Sequence, residues 1–248
     1  MACPPLSWRL ALFRIKGTSD IATARSAAAV EREEMRKRSE SRWPPIFAVI
    51  AATILYALLP PHLTLGPRWL MPVLVAALAI PLAVAGPILS GRDVSRLLRT
   101  LGIALIALVN LANIASLVLL VRALVTGVPK ESGIGLLYSA AAIWFVNILV
   151  FGLWYWEADR GGPQLRLNAS KRSADFMFPQ MLSPSCAPSG WMPMFADYLY
   201  LAFTNATAFS PTDTMPLTTL AKTLMTIQAL ISLLTIVLVA ARAVNIIA

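Results

Sequence analysis

The sequence predicts an all-α polytopic membrane protein: five full transmembrane helices and one short re-entrant helix that enters and leaves on one side. Three observations predict this. The 248 residues are 58% hydrophobic and 13% charged, where a soluble domain carries roughly 25% charged residues. The charges fall at the ends of long apolar runs, as expected of segments that cross a hydrocarbon core. One apolar stretch, Phe195 to Phe209, is short and leads directly into a polar turn and then a long apolar run.

The chain divides into three parts. Residues 1–43 form a basic N-terminal segment. Its first apolar stretch is broken by Arg9 and Arg14, so it is not a cleavable signal. From Ile21 to Arg42 the pattern is a solvated helix, with Glu33/Lys37 and Glu34/Arg38 as i,i+4 pairs in the favourable order.

Residues 44–132 hold three spans. The first runs from Pro45 to Leu59 and stops at Pro60-Pro61. The second runs from Trp69 to Leu89, with Pro72 in its first turn and Pro81 in its interior, where a kink is expected. Gly91-Arg92-Asp93 then opens a basic turn containing Arg96 and Arg99, and the third span follows from Leu101 to Val125.

Residues 133–248 form the last part. A fourth span runs from Gly133 to the aromatic anchor Trp154-Tyr155-Trp156. A Pro/Gly-rich connection, 157–193, is too long for a compact bundle unless it is functional or mobile. The short helix 195–209 would cover about 22 Å, less than the roughly 30 Å hydrocarbon core. Ending in polar backbone, it is tolerated at membrane depth only as a re-entrant element within protein or a wet cavity; a sixth, tilted short span is the alternative. The final helix runs over 217–247.

The formal net charge is +9, but no nucleic-acid motif accompanies it, and the basic residues sit where they set orientation and meet anionic lipid. The N-terminal segment, the Arg92/Arg96/Arg99 turn and the 157–193 connection share one side and hold nearly all the Lys and Arg. The opposite loops offer Arg68, Arg122 and Lys130. The N-terminus is therefore expected in the cytoplasm. The Arg-, Ala- and Leu-rich composition points to a bacterial source, hence to the bacterial cytoplasmic membrane. Cys3 and Cys186 are read as free thiols, and His62 as a loop residue. With no nucleophile–base pair, metal-ligand spacing or phosphate-cradling loop, the chain is expected to be neither an enzyme nor a cofactor protein.

The stretch Asn205-Ala-Thr207-Ala-Phe209-Ser-Pro-Thr-Asp213, followed by Pro216, Thr218 and Lys222, resembles the pore loop of potassium channels. Thr207, Asp213, Pro216 and Thr218 match that motif by type, and Lys222 by charge, without a gap. Phe209-Ser210-Pro211-Thr212 replaces its Val-Gly-Tyr-Gly. Both glycines that allow a row of inward carbonyls are lost, and Pro211 fixes φ and removes a donor. The resemblance thus implies a degenerate pore loop without potassium chemistry. The C-terminal half also resembles a group of uncharacterised bacterial integral membrane proteins, through Glu157-Ala-Asp159-Arg-Gly-Gly-Pro163, Asp175-Phe-x-Phe-Pro-Gln180 and Phe209-Ser-Pro-Thr-Asp213.

These readings nominate a channel-like or transport-like protein, with a non-conducting scaffold as the alternative. Thr207, Ser210, Thr212 and Asp213 would offer oxygens to a small cation at the negative end of the half-helix. Assembly as a homo-oligomer would gather Asp213 carboxylates into a ring. Against this, Asp213 could simply form the turn or cap ahead of the last helix. Gln228, Ser232 and Thr235 share one face of that helix and would line a wet path or bond across a dry bundle. Asn110, Asn113 and Asn147 are read as helix–helix glue.

Overall fold

The computed structural model describes residues 43–67, 69–88, 92–126, 133–166, 173–188, 191–207 and 213–247. The predicted N-terminal helix lies outside them. Helix α1 (Trp43–Ala57) is followed by a short helical turn at Pro61–Leu63. Then come α2 (Leu70–Ile88), α3 (Arg92–Thr126), α4 (Gly133–Ala158), a second turn at Asp159–Gly161 and α5 (Pro163–Arg166). Strand β1 (Phe176–Met177), α6 (Pro179–Leu182), α7 (Phe195–Thr207), β2 (Met215–Pro216) and α8 (Thr219–Ile247) complete the order.

Among the described residues, three stretches are long and apolar enough to cross a membrane: Leu97–Thr126, Ile134–Gly161 and Thr219–Ala240. Trp43–Ala57 is a shorter apolar helix, and the Leu70–Ala79 part of α2 is apolar as well. The 15 residues of α1 cover only about 22 Å, because Pro60-Pro61 stops the chain. Its last turn is pinned by Tyr56, whose hydroxyl accepts the Leu65 N–H at 2.9 Å.

Helix α3 departs from expectation at its start. The basic residues read as a turn, Arg92 to Thr100, are already helical. Neither Gly nor Pro lies between Arg92 and Leu101, so nothing interrupts the helix, and long Arg side chains tolerate a position at the end of an apolar one.

Helix α4 is central: α8, α7, α1 and α3 all pack on it. Ile143, Val146, Asn147, Val150, Phe151 and Tyr155 are each fully buried. Half of the apolar window of α4 is buried (50%) against 22% for α8, which places α8 at the periphery of the bundle. Its outward face carries Leu220, Ile227, Leu230, Leu233, Leu234 and Val237, a surface suited to lipid.

The 157–193 connection is organised. Two helical turns and β1 occupy much of it, and β1 pairs antiparallel with β2, Phe176 opposite Pro216 and Met177 opposite Met215. Cys186 is disulfide-bonded, which corrects its reading as a free thiol; Cys3 lies outside the described residues.

Candidate functional site

Two boxes within the connection, Glu157 to Pro163 and Asp175 to Gln180, meet, and they also hold the starts of α7 and α8. Asp159 is fully buried. Its Oδ1 accepts the Asp175 N–H at 2.8 Å, and its Oδ2 accepts the Tyr198 hydroxyl at 2.6 Å. Arg166, also buried, donates to Tyr198 Oη at 2.9 Å and to the Trp156 carbonyl at 2.9 Å. Its Nη1 lies 3.8 Å from Asp159 Oδ2, and its guanidinium stands 4.9 Å from the centre of the Tyr198 ring.

Asp175 extends the network to α8. Its Oδ1 accepts the Thr218 hydroxyl at 2.7 Å, and its carbonyl accepts the Leu217 N–H at 2.8 Å. Its Oδ2 accepts the Arg160 N–H at 2.8 Å, which helps hold Arg160 at φ 53°, a left-handed conformation unusual for a non-glycine residue. Gly162 has φ 98°, and a Cβ there would lie 2.9 Å from Glu157 Oε1, so the box needs its second glycine. Of the charges in the first box, Glu157 pairs with Arg99 at 3.0 Å and Asp159 with Arg166. Arg160 joins neither pair.

Thr218 also settles how α8 begins. Its hydroxyl accepts the Ala221 N–H at 3.2 Å, the geometry of an N-cap. The cap reading of Asp213 is therefore corrected: Asp213 is exposed, five residues before the capping position.

Side-chain contacts give the direction of α7. Its Phe195 meets Trp156 (ring centroids 6.1 Å apart), and Leu199 lies against Gly152, where a Cβ would sit 3.3 Å from the Leu199 Cα. Farther on, Phe203 meets Trp144, whose Nε1 reaches the Ala206 carbonyl at 3.5 Å. Thus α7 runs antiparallel to α4 from its C-terminal end and stops at Trp144. Helix α8 starts at that same end, anchored through Asp175, and runs beside α7 in the same direction. Gln228 Nε2 donates to the Ala202 carbonyl at 2.8 Å, and Asn205 Nδ2 to the Met225 carbonyl at 3.0 Å. Since 13 residues rise only about 20 Å, α7 ends partway along both longer helices.

A buried polar cluster lies where the three helices meet. Gln228 Oε1 accepts the Tyr155 hydroxyl and, at 2.8 Å, the Asn205 amide. Asn147 Nδ2 donates to Ser232 Oγ at 2.8 Å and to the Gln228 carbonyl at 3.3 Å. Thr235 turns its hydroxyl back to the Ile231 carbonyl at 2.8 Å. Gln228, Ser232 and Thr235 are all fully buried. The first two bond across the helices, while Thr235 bonds within α8.

The predicted loop residues fare differently. Thr207 is half-buried and donates to the Thr204 carbonyl at 2.8 Å. Ser210 and Thr212 lie outside the described residues, and exposed Asp213 makes no hydrogen bond or ion pair to a described residue. Two of the carbonyls at the end of α7, those of Thr204 and Ala206, already accept protons from Thr207 and Trp144. Residues not singled out as a site carry the architecture: Tyr155, Arg166, Asp175, Tyr198, Asn205 and Thr218. Tyr155 was hidden by its place in an aromatic anchor. Asp159 and Asp175 did stand out in the two boxes, without a partner to read them by. Among the described residues no three His, Cys, Asp or Glu side chains form a metal-binding group. No protein-family model, no curated protein and no solved structure matches the chain.

Proposed function

We propose that this is a multi-pass membrane protein whose C-terminal module is a re-entrant half-helix, with a channel-like or transport-like role for a small cation. One relationship supports the reading. Helices α7 and α8 begin at the same end of α4, tied through Asp159–Tyr198 and Asp175–Thr218, and run inward side by side. A spanning α7 would have to cross to the far end and hand the chain to an antiparallel α8. A half-helix that stops at depth is tolerated in a membrane where protein or a wet cavity surrounds its end, an arrangement that transporters use at their binding sites.

In this reading the spans are α1, α2, α3, α4 and α8, with the N-terminus cytoplasmic and the C-terminus outside. The disulfide at Cys186 bears on the side of the connection, since such bonds persist chiefly in oxidising compartments while the charge asymmetry favours the cytoplasm.

The scaffold reading draws on a different observation: Gln228 and Ser232 bond to protein partners within the bundle. Flux in proteoliposomes separates the two. A channel or transporter gives cation flux that Asp213→Asn reduces. Absence of flux for every small cation tried favours the scaffold, and flux unchanged by Asp213→Asn removes Asp213 from the path.

A further inference from the structure

The polar side chains of α3 are a separate matter from the α7–α8 pair. Asn113 and Ser116 are fully buried, and their side chains find no hydrogen-bond partner among the described residues. The Asn113 amide oxygen and nitrogen, the Ser116 hydroxyl and the Asn110 amide oxygen are all buried without one. On α4 the Asn147 amide oxygen is in the same state, and its orientation is fixed because Asn147 Nδ2 donates to Ser232 and to the Gln228 carbonyl.

Helices α3 and α4 pack together, with Arg99 of α3 paired to Glu157 of α4. At about 1.5 Å per residue, Asn113 lies about 21 Å from that pair along α3 and Asn147 about 15 Å from it along α4, so the two amides fall within about a turn or so of each other. Both longer helices also reach α8, which presents buried Ser232 and Thr235.

Leaving a buried polar group unpaired is costly, and several such groups lie here. The set is rich in acceptors: three amide oxygens and one hydroxyl stand against one amide nitrogen. The described carboxylates near the bundle, Glu157, Asp159, Asp175 and Asp197, all lie toward the other end of α4, by Arg99, Arg160 and the start of α7. A guest that supplies positive charge to neutral oxygens, without a carboxylate to balance a second charge, is a monovalent metal ion.

We propose that the α3–α4 interface binds one alkali cation through the amide oxygens of Asn113 and Asn147 and the hydroxyl of Ser116, with Asn110 at its edge. The site does not rest on the re-entrant reading of α7. It stabilises the bundle whether or not the protein conducts, so its test is a binding test.

The full chain in detergent is unfolded thermally in sodium, potassium, lithium or choline chloride at constant ionic strength. The expected result is a saturable rise in midpoint with one alkali cation over choline, lost in Asn113→Leu and in Ser116→Ala. Ser116→Ala removes a single hydroxyl and keeps the readout available if Asn113→Leu does not fold. Equal midpoints for the parent in all four salts would overturn the proposal in favour of water as the guest. A cation-dependent rise that survives in a folded variant would place the ion elsewhere and overturn it equally.

Discussion

The carboxylate of Asp159 and the hydroxyl of Tyr198 lie 2.6 Å apart across 39 residues of sequence, joining the end of α4 to the first turn of α7. Arg166 closes the triangle, donating to Tyr198 and lying against Asp159. All three side chains are buried, so the group is a lock whose parts depend on one another. Removing one partner of a buried ion pair leaves the other charge uncompensated, at a cost of about 3–5 kcal/mol. Asp159→Ala is therefore expected to lower the thermal midpoint in detergent sharply. Tyr198→Phe removes one hydroxyl and is expected to cost about 1–3 kcal/mol. Equal midpoints for Asp159→Ala and the parent would contradict the lock.

The close approach of α7 to α4 depends on Gly152. A Cβ there would lie 3.2 Å from Leu199 Cδ1 and 3.3 Å from the Leu199 Cα, and the backbone atom cannot swing aside as a side chain can. Gly152→Ala is expected to push α7 outward and destabilise by about 1–3 kcal/mol, the usual cost of overpacking. The larger Gly152→Val should do so more strongly. Unfolding midpoints that follow the order Gly, Ala, Val would support the contact, and an unchanged midpoint for Val would show that α7 does not sit there.

The buried cluster around Gln228 makes a pairwise prediction. Gln228→Leu leaves the Tyr155 hydroxyl, the Asn205 amide and the Ala202 carbonyl each without a bond they now make to Gln228. The Asn205 amide keeps the Met225 carbonyl as an acceptor, whereas the Tyr155 hydroxyl loses the acceptor it donates to, at a cost of about 1–3 kcal/mol. Tyr155→Phe added to Gln228→Leu should then cost less than the two changes summed, since the orphaned hydroxyl is gone. A double-mutant cycle is expected to give a coupling of about 0.5–3 kcal/mol; strict additivity would mean that the two side chains do not meet.

The helices were legible where apolar runs are uninterrupted. The fourth span, from Gly133, and the short helix, from Phe195, begin at the predicted residues, and the short helix is described as far as Thr207. The start of α3 was not legible, because a run of arginines looks like a turn when polarity alone is read. Nor was the lock: Asp159, Asp175, Tyr198 and Thr218 are spread along the chain, and only the folding of the 157–193 connection makes them neighbours. Tyr155 was misleading for a geometric reason. Successive residues on a helix point about 100° apart, so the hydroxyl of Tyr155 reaches inward although its Trp neighbours suggest an interfacial belt. On α8 the shared face of Gln228, Ser232 and Thr235 was legible from spacing, whereas their partners belong to α4 and α7.

The direction of α7 is the central claim, and the sidedness of its two flanks tests it most directly. Met194, before α7, and Met215, after it, are both exposed, at 58% and 52%. Single cysteines placed there, in a chain with Cys3 and Cys186 replaced by serine, can be labelled with a membrane-impermeant thiol reagent in right-side-out and inverted vesicles. A re-entrant α7 predicts that both positions react in the same vesicle orientation. Labelling of Met194→Cys from one side and of Met215→Cys from the other would mean that α7 crosses the membrane, and would contradict the account.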